Sequence, residues 1–185
     1  MTQVTVLSGL VLGIALAVAV WQDIRIRKIP NKVILIGTAS AIAVHTVHAG
    51  GLQGALFSLA GCLVGLLILL PFYALKTLGA GDVKLMAMVG AFVGTPAVIG
   101  VTLLTMLAGG VLALVVALWS RQLNQVVKNV LRMLRLASIA GPAAAFKSDA
   151  NPAPVTGKLP YAIAIACGTA GHLLLAGSPG WTLFS

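Results

Sequence analysis

The chain has 185 residues, 59% of them hydrophobic and 8% charged, with a formal net charge of +9 and a mean hydropathy of +1.07. Soluble domains carry about 25% charged residues, so too few polar side chains are present to coat a soluble globule, and the apolar runs reach the roughly 20 residues that a bilayer-crossing helix needs. The basic residues cluster between apolar runs, where they read as topology determinants facing anionic lipid, so the expected partner is the lipid bilayer and not nucleic acid.

The first apolar run covers about residues 4–21. No basic residue precedes it, while Arg25, Arg27, Lys28 and Lys32 follow. A secretory signal has the reverse order, so this run is read as a retained membrane span. Pro30-Asn31 marks the start of a second span at about 33–48, with Asn31 able to cap free backbone N–H groups. A third span runs over about 52–75, with Pro71 as a kink. The next apolar stretch is too long for one span and is divided at the turn signal Gly94-Thr95-Pro96. A fourth helix over 81–93 would then cover only about 20 Å of a roughly 30 Å hydrocarbon core. The fifth span takes 96–119, a long loop takes 120–158, and the sixth span takes 159–176. The expectation is a single all-α transmembrane domain over 1–185 with six spans.

On this layout all twelve basic residues fall on one side of the membrane, eleven in the loops after the first, third and fifth spans and Lys84 just inside the fourth helix. The positive-inside rule makes that side the cytoplasm and puts both termini outside. Within the last loop, Leu123, Val126, Val127, Val130, Leu131 and Leu134 follow helical spacing, with Arg121, Lys128, Arg132 and Arg135 largely off the stripe. That pattern predicts a basic amphipathic helix in the interface, serving as a lipid anchor or as a docking surface. Ala143 to Gly157 has no periodicity and reads as a connector. Gly61 with Gly65, and Gly90 with Gly94, form G-x-x-x-G pairs that permit close helix approach. Cys62 and Cys167 lack a C-x-x-C neighbour and read as small packing residues, with no metal site expected. His45, His48 and His172 lie near the outer ends of their spans and read as interfacial polar residues.

The chain contains no Glu and three Asp. Asp149 lies in the last loop. Asp23 ends the first span and Asp82 begins the fourth, both on the cytoplasmic side, where an ionisable group at a membrane segment marks a functional site by default. Two carboxyls a few ångströms apart share a proton, because both cannot ionise readily. The charged one can then activate water, and the neutral one can protonate the oxyanion and the leaving amine. Gly79 and Gly81 in Gly79-Ala80-Gly81-Asp82 allow unusual torsions and a close approach to a substrate strand. The structural alternatives are an ion pair of Asp23 with Arg25 or Arg27, and a helix-capping role for Asp82.

The run Asp23 to Asn31, with Gly79-Ala80-Gly81-Asp82-Val83-Lys84-Leu85, resembles the type IV prepilin peptidases (peptidase A24 family), G-x-G-D aspartyl proteases of the bacterial inner membrane. Lys158-Leu159-Pro160-Tyr161-Ala162 is similar to that family's Pro-containing start of the last span, which carries Pro160 over as a supporting residue. The resemblance implies Asp23 and Asp82 as the catalytic pair and a prepilin or pseudopilin substrate, cleaved after a leader-boundary Gly on the cytoplasmic side. It implies no metal or other cofactor. Lys84 would tune Asp82 or bind a substrate carbonyl, or else serve only as a topology anchor. The first cytoplasmic loop lacks the paired C-x-x-C insertion of the long, bifunctional members. The chain therefore looks like the short form of tight-adherence (Flp-type) pilus systems, without methyltransferase activity. The competing functions are a small proton-coupled transporter with the acids as a relay, and a non-catalytic pilus assembly scaffold.

Overall fold

The computed structural model describes residues 2–48, 51–75, 77–120 and 160–176, and the helical residues 124, 127, 128, 131, 132, 135, 138 and 139. Regular structure among them is entirely helical: α1 (Thr2–Ile26), α2 (Asn31–His48), α3 (Leu52–Ala74), α4 (Ala80–Val93), α5 (Thr95–Trp119) and α6 (Tyr161–Ala176). Leu7–Ile26, Leu52–Ala74 and Thr95–Trp119 are long and apolar enough to cross a membrane, and Tyr161–Leu175 is a shorter apolar helix. The chain divides into two compact units, Met1–Gly109 with Pro160–Ser185, and Gly110–Leu159.

Most helix boundaries follow the turn signals. Gly94 ends α4 with a φ of +83°, a left-handed torsion that glycine adopts without a Cβ penalty, and α5 starts at the next residue. The first helix differs from expectation, running on to Ile26 instead of ending near 21. Nothing in Gln22 to Ile26 breaks a helix. The stop comes only at Arg27, whose φ is +53° and whose N–H closes the last turn on the Asp23 carbonyl at 3.0 Å. Asp23 is therefore a helical residue one turn from the end of α1. Asn31 also departs from its expected capping role: it is the first residue of α2, and the Pro30 carbonyl closes the opening turn by accepting the Val33 N–H at 3.1 Å. Pro71 lies inside α3 as expected.

In the first unit the core is built around α4. Val83 and every residue from Leu85 to Phe92 are buried, so this short helix is enclosed along almost its whole length. Its closest neighbour is α3, and the two G-x-x-x-G pairs meet each other. A Cβ on Gly61 would strike the Gly90 carbonyl, and a Cβ on Gly90 would strike the Gly61 carbonyl. A Cβ on Gly65 would lie 2.7 Å from the Met86 carbonyl oxygen. In lipid, where apolar side chains gain little by leaving the solvent, such close backbone packing is a main source of helix association. Outward-facing Leu10, Ile14, Leu63, Leu67, Leu103 and Leu107 are exposed, an apolar surface suited to acyl chains and unsuited to water.

Several polar side chains bond within their own helix or to its neighbour. His45 and His48 turn Nδ1 back onto the Ala41 and Val44 carbonyls, each at 2.9 Å, and Ser58 Oγ lies 3.1 Å from His45 Nδ1. His172, expected at an interface, is instead buried at 2% exposure because it falls on the inward face of α6 with Ile165 and Thr169. Cys62 is half-buried and Cys167 exposed, both as free thiols.

In the second unit, Ala117 is buried, while Val127, Leu131 and Ile139 are exposed beside exposed Lys128, Arg132 and Arg135. The stripe residues Leu123, Val126, Val130 and Leu134, the Ala143 to Gly157 connector and Asp149 lie outside the described residues.

The glycine contact has a direct test. Gly90→Val should cost about 1–3 kcal/mol of stability through forced separation of α3 and α4. Gly13→Ala, where a Cβ would meet nothing within 4 Å, should be neutral or stabilising by up to about 1 kcal/mol. Unfolding in detergent would measure both, and equal stabilities would contradict the packing described.

Candidate active site

The C-terminal end of α1 and the N-terminal ends of α2, α4 and α6 lie at the same end of the first unit. Asp23 arrives from α1, 9% exposed. Its Oδ2 accepts the Ala162 N–H at 3.1 Å. That N–H belongs to the opening turn of α6, where backbone donors have no partner within the helix. A carboxylate satisfies such a donor and is favoured by the partial positive charge of the helix start. Asp23 thus caps a helix from 139 positions away. Arg25 and Arg27, the candidate ion-pair partners, are exposed.

Asp82 is the third residue of α4, and its Oδ2 accepts the N–H of the N-cap residue Gly79 at 3.1 Å. This is one half of a capping box; Gly79 has no side chain with which to return the bond. Asp82 is half-buried, and its carboxyl lies within electrostatic reach of Asp23. The two acids thus lie within electrostatic reach of each other, each held through Oδ2 by the backbone at a helix start.

The glycines before Asp82 act differently from the expectation. Gly79 has φ −78° and ψ 151°, ordinary extended backbone, and Gly81 is helical. Neither position requires an unusual torsion. Gly79 supplies room, whereas a Cβ at Gly81 would make ordinary van der Waals contact. A Cβ on Gly79 would lie 3.1 Å from Asp82 Oδ2, and one on Gly81 would lie 3.4 Å from the Ile29 Cβ. Ile29, half-buried in the α1–α2 connector, therefore rests directly on the start of α4.

Lys84 is not brought to the acids. Two residues further along a helix is a rotation of about 200°, so its side chain leaves on the far side from Asp82. Its Nζ donates to Asn31 Oδ1 at 3.0 Å, joining α4 to the head of α2. Pro160 is half-buried, and its carbonyl accepts the Ile163 N–H at 3.2 Å, closing the first turn of α6.

Tyr161, not singled out from the sequence, is half-buried and has its hydroxyl within electrostatic reach of Asp82. Its ring lies against Gly109 of α5. The available signal was an aromatic hydroxyl at the head of the last apolar run, beside Pro160. Among the described residues no group of three or more His, Cys, Asp or Glu side chains is arranged to hold a metal ion.

The model of the type IV leader peptidase family matches residues 10–114. The matched stretch contains both acids and the Gly79-Ala80-Gly81-Asp82 run. No curated protein and no solved structure matches the chain. The family match covers more than half of the sequence, and with three helices apolar and long enough to cross a bilayer it gives a membrane protein that belongs to the type IV leader peptidase family.

Proposed function

We propose that the chain is an aspartic endopeptidase that removes the leader peptides of prepilins or pseudopilins at the cytoplasmic face of the inner membrane. In this role Asp23 and Asp82 are the catalytic pair, set in a six-span domain over 1–185 with both termini outside. The observation that carries it is that two carboxyls, distant in sequence, are each held by a backbone N–H at a helix start at one end of the helical unit, within electrostatic reach of each other. The missing C-x-x-C insertion favours the short form of tight-adherence systems, with proteolysis alone and no methyl transfer.

Two neighbouring carboxyls in a partly dry site share one proton. The charged member takes a proton from water as its oxygen attacks the scissile carbonyl carbon. The neutral member gives its proton to the developing oxyanion, and collapse of the intermediate with proton transfer to the amine breaks the C–N bond. Backbone donors at Gly79 and Ala162 hold both carboxyls in place during these transfers. Lys84 acts as a brace between α4 and α2, outside the chemistry.

Co-expression with a prepilin from the same genome tests the dyad. Asp23→Asn and Asp82→Asn, at membrane levels equal to the unaltered protein, should each reduce cleavage at least about 10³-fold, as loss of a central acid or base does. Undiminished cleavage by either variant would remove the aspartic mechanism in favour of an assembly scaffold. Folding is tested separately. Asp23→Ala should lose about 1–3 kcal/mol because the Ala162 N–H is left buried without an acceptor, whereas Asp23→Asn keeps an amide oxygen there and should lose less than half as much. Orientation is tested by periplasmic reporter fusions, active after Gly51 and inactive after Ser120; the reverse pattern would overturn the cytoplasmic placement of the acids.

A further inference from the structure

Tyr161 is linked to both acids by different routes. The Ala162 N–H that holds Asp23 at 3.1 Å is the N–H of the peptide bond joining Tyr161 to Ala162. The phenol hydroxyl of the same residue is within electrostatic reach of Asp82. The first turn of α6 thus brings one residue near both carboxyls, its following peptide N–H bonded to Asp23 and its hydroxyl within electrostatic reach of Asp82.

The ring is also fixed in place. A Cβ on Gly109 would come within 2.9 Å of Tyr161 Cε2, 3.4 Å of the hydroxyl oxygen and 3.5 Å of Cζ. Only a residue without a Cβ lets the ring occupy this space. An aromatic side chain has few torsions to restrain, so contact with α5 orients the hydroxyl at small entropic cost. Among the described residues that hydroxyl makes no hydrogen bond. It is a half-buried donor, held by contact with α5 and without an acceptor among the described residues, within electrostatic reach of one of the two acids.

We infer that Tyr161 is a further catalytic residue, donating a hydrogen bond to the scissile carbonyl oxygen as that oxygen becomes an oxyanion, and that Gly109 is its positioning residue. The role rests on the aspartic chemistry proposed above. The phenol keeps its proton throughout; the proton that reaches the oxyanion comes from the neutral carboxyl. A fixed donor aimed at developing charge needs no reorganisation when the charge appears, which is why loss of one such donor commonly costs about 10²–10³-fold in turnover.

The test uses the purified full-length chain in detergent, with a prepilin that the unaltered protein cleaves. Tyr161→Phe removes only the hydroxyl and keeps the ring. Its kcat should fall about 10²-fold, with KM and the unfolding temperature unchanged; a merely structural role would move the unfolding temperature and leave kcat alone. Gly109→Ala should lower kcat by pushing the ring aside, and should lower it no further in the Tyr161→Phe background, because both changes remove one contact. Wild-type kcat in Tyr161→Phe, with Asp23→Asn and Asp82→Asn inactive, would overturn the role of Tyr161 and leave the dyad standing. An undiminished rate in the aspartate variants would overturn the dyad, and this inference with it. A full additional loss from Gly109→Ala in the Tyr161→Phe background would overturn the positioning role. If Tyr161→Phe does not accumulate, Gly109→Ala decides alone, with unchanged kcat counting against the proposal.

Discussion

The backbone-to-backbone approach of α3 and α4 at Gly61 and Gly90 governs the rest of the first unit. It lets a helix of only 14 residues be enclosed by its neighbours, where a helix of that length, about 21 Å at 1.5 Å per residue, falls short of a roughly 30 Å hydrocarbon layer. A longer α4 would carry its first turn, and Asp82 with it, out toward solvent. Close packing at the glycines instead keeps α4 short and central. Its start then sits among the ends of α1, α2 and α6 and does not stand free at the surface.

Helix starts do the remaining work at that end. Every helix opens with N–H groups that lack intrahelical acceptors, and a bundle that gathers several helix starts gathers several unsatisfied donors. Asp23 and Asp82 each meet one of these, at α6 and α4. A cap of this kind is worth about 0.5–2 kcal/mol, so the same bonds that orient the acids also stabilise the helices they sit on. Each carboxylate commits Oδ2 to the backbone. Among the described residues Oδ1 of each makes no hydrogen bond, leaving one oxygen of each acid available to water or substrate. Capping and chemistry are therefore compatible, and the two sequence readings of Asp82 do not compete.

Composition and turn chemistry carried the helical class, the break at Gly94 and the start of α2, because each depends on local features: apolar length, a residue able to take positive φ, and a proline. What depended on contacts between distant segments was less legible. The end of α1 was placed too early because its charged last turn looks like a loop, although the backbone stays helical until Arg27. Gly79 and Gly81 look like torsional requirements, yet their backbone is ordinary, and the one tight place is beside the Asp82 carboxyl at Gly79. Asn31 looked like a cap and is a partner for Lys84. Tyr161 gave almost no local signal, since its position relative to Asp82 depends on how α6 is anchored by Asp23.

The treatment of positive charge follows the same logic. Arg25, Arg27, Lys28 and Lys32 are exposed around the end of α1, and Lys84 lies two residues from Asp82 but turns to Asn31. An arginine or lysine paired with a carboxyl favours its charged form. A cation bound to either acid would hold that member ionised and work against the sharing of one proton on which the proposed chemistry relies. Backbone N–H groups orient a carboxylate with only partial charges, a weaker pull that allows the proton to move between partners. Exposed cations can meanwhile face anionic lipid headgroups. Holding the acids by helix termini, with no lysine or arginine paired to either among the described residues, is an arrangement that suits a proton-sharing pair in a strongly basic chain.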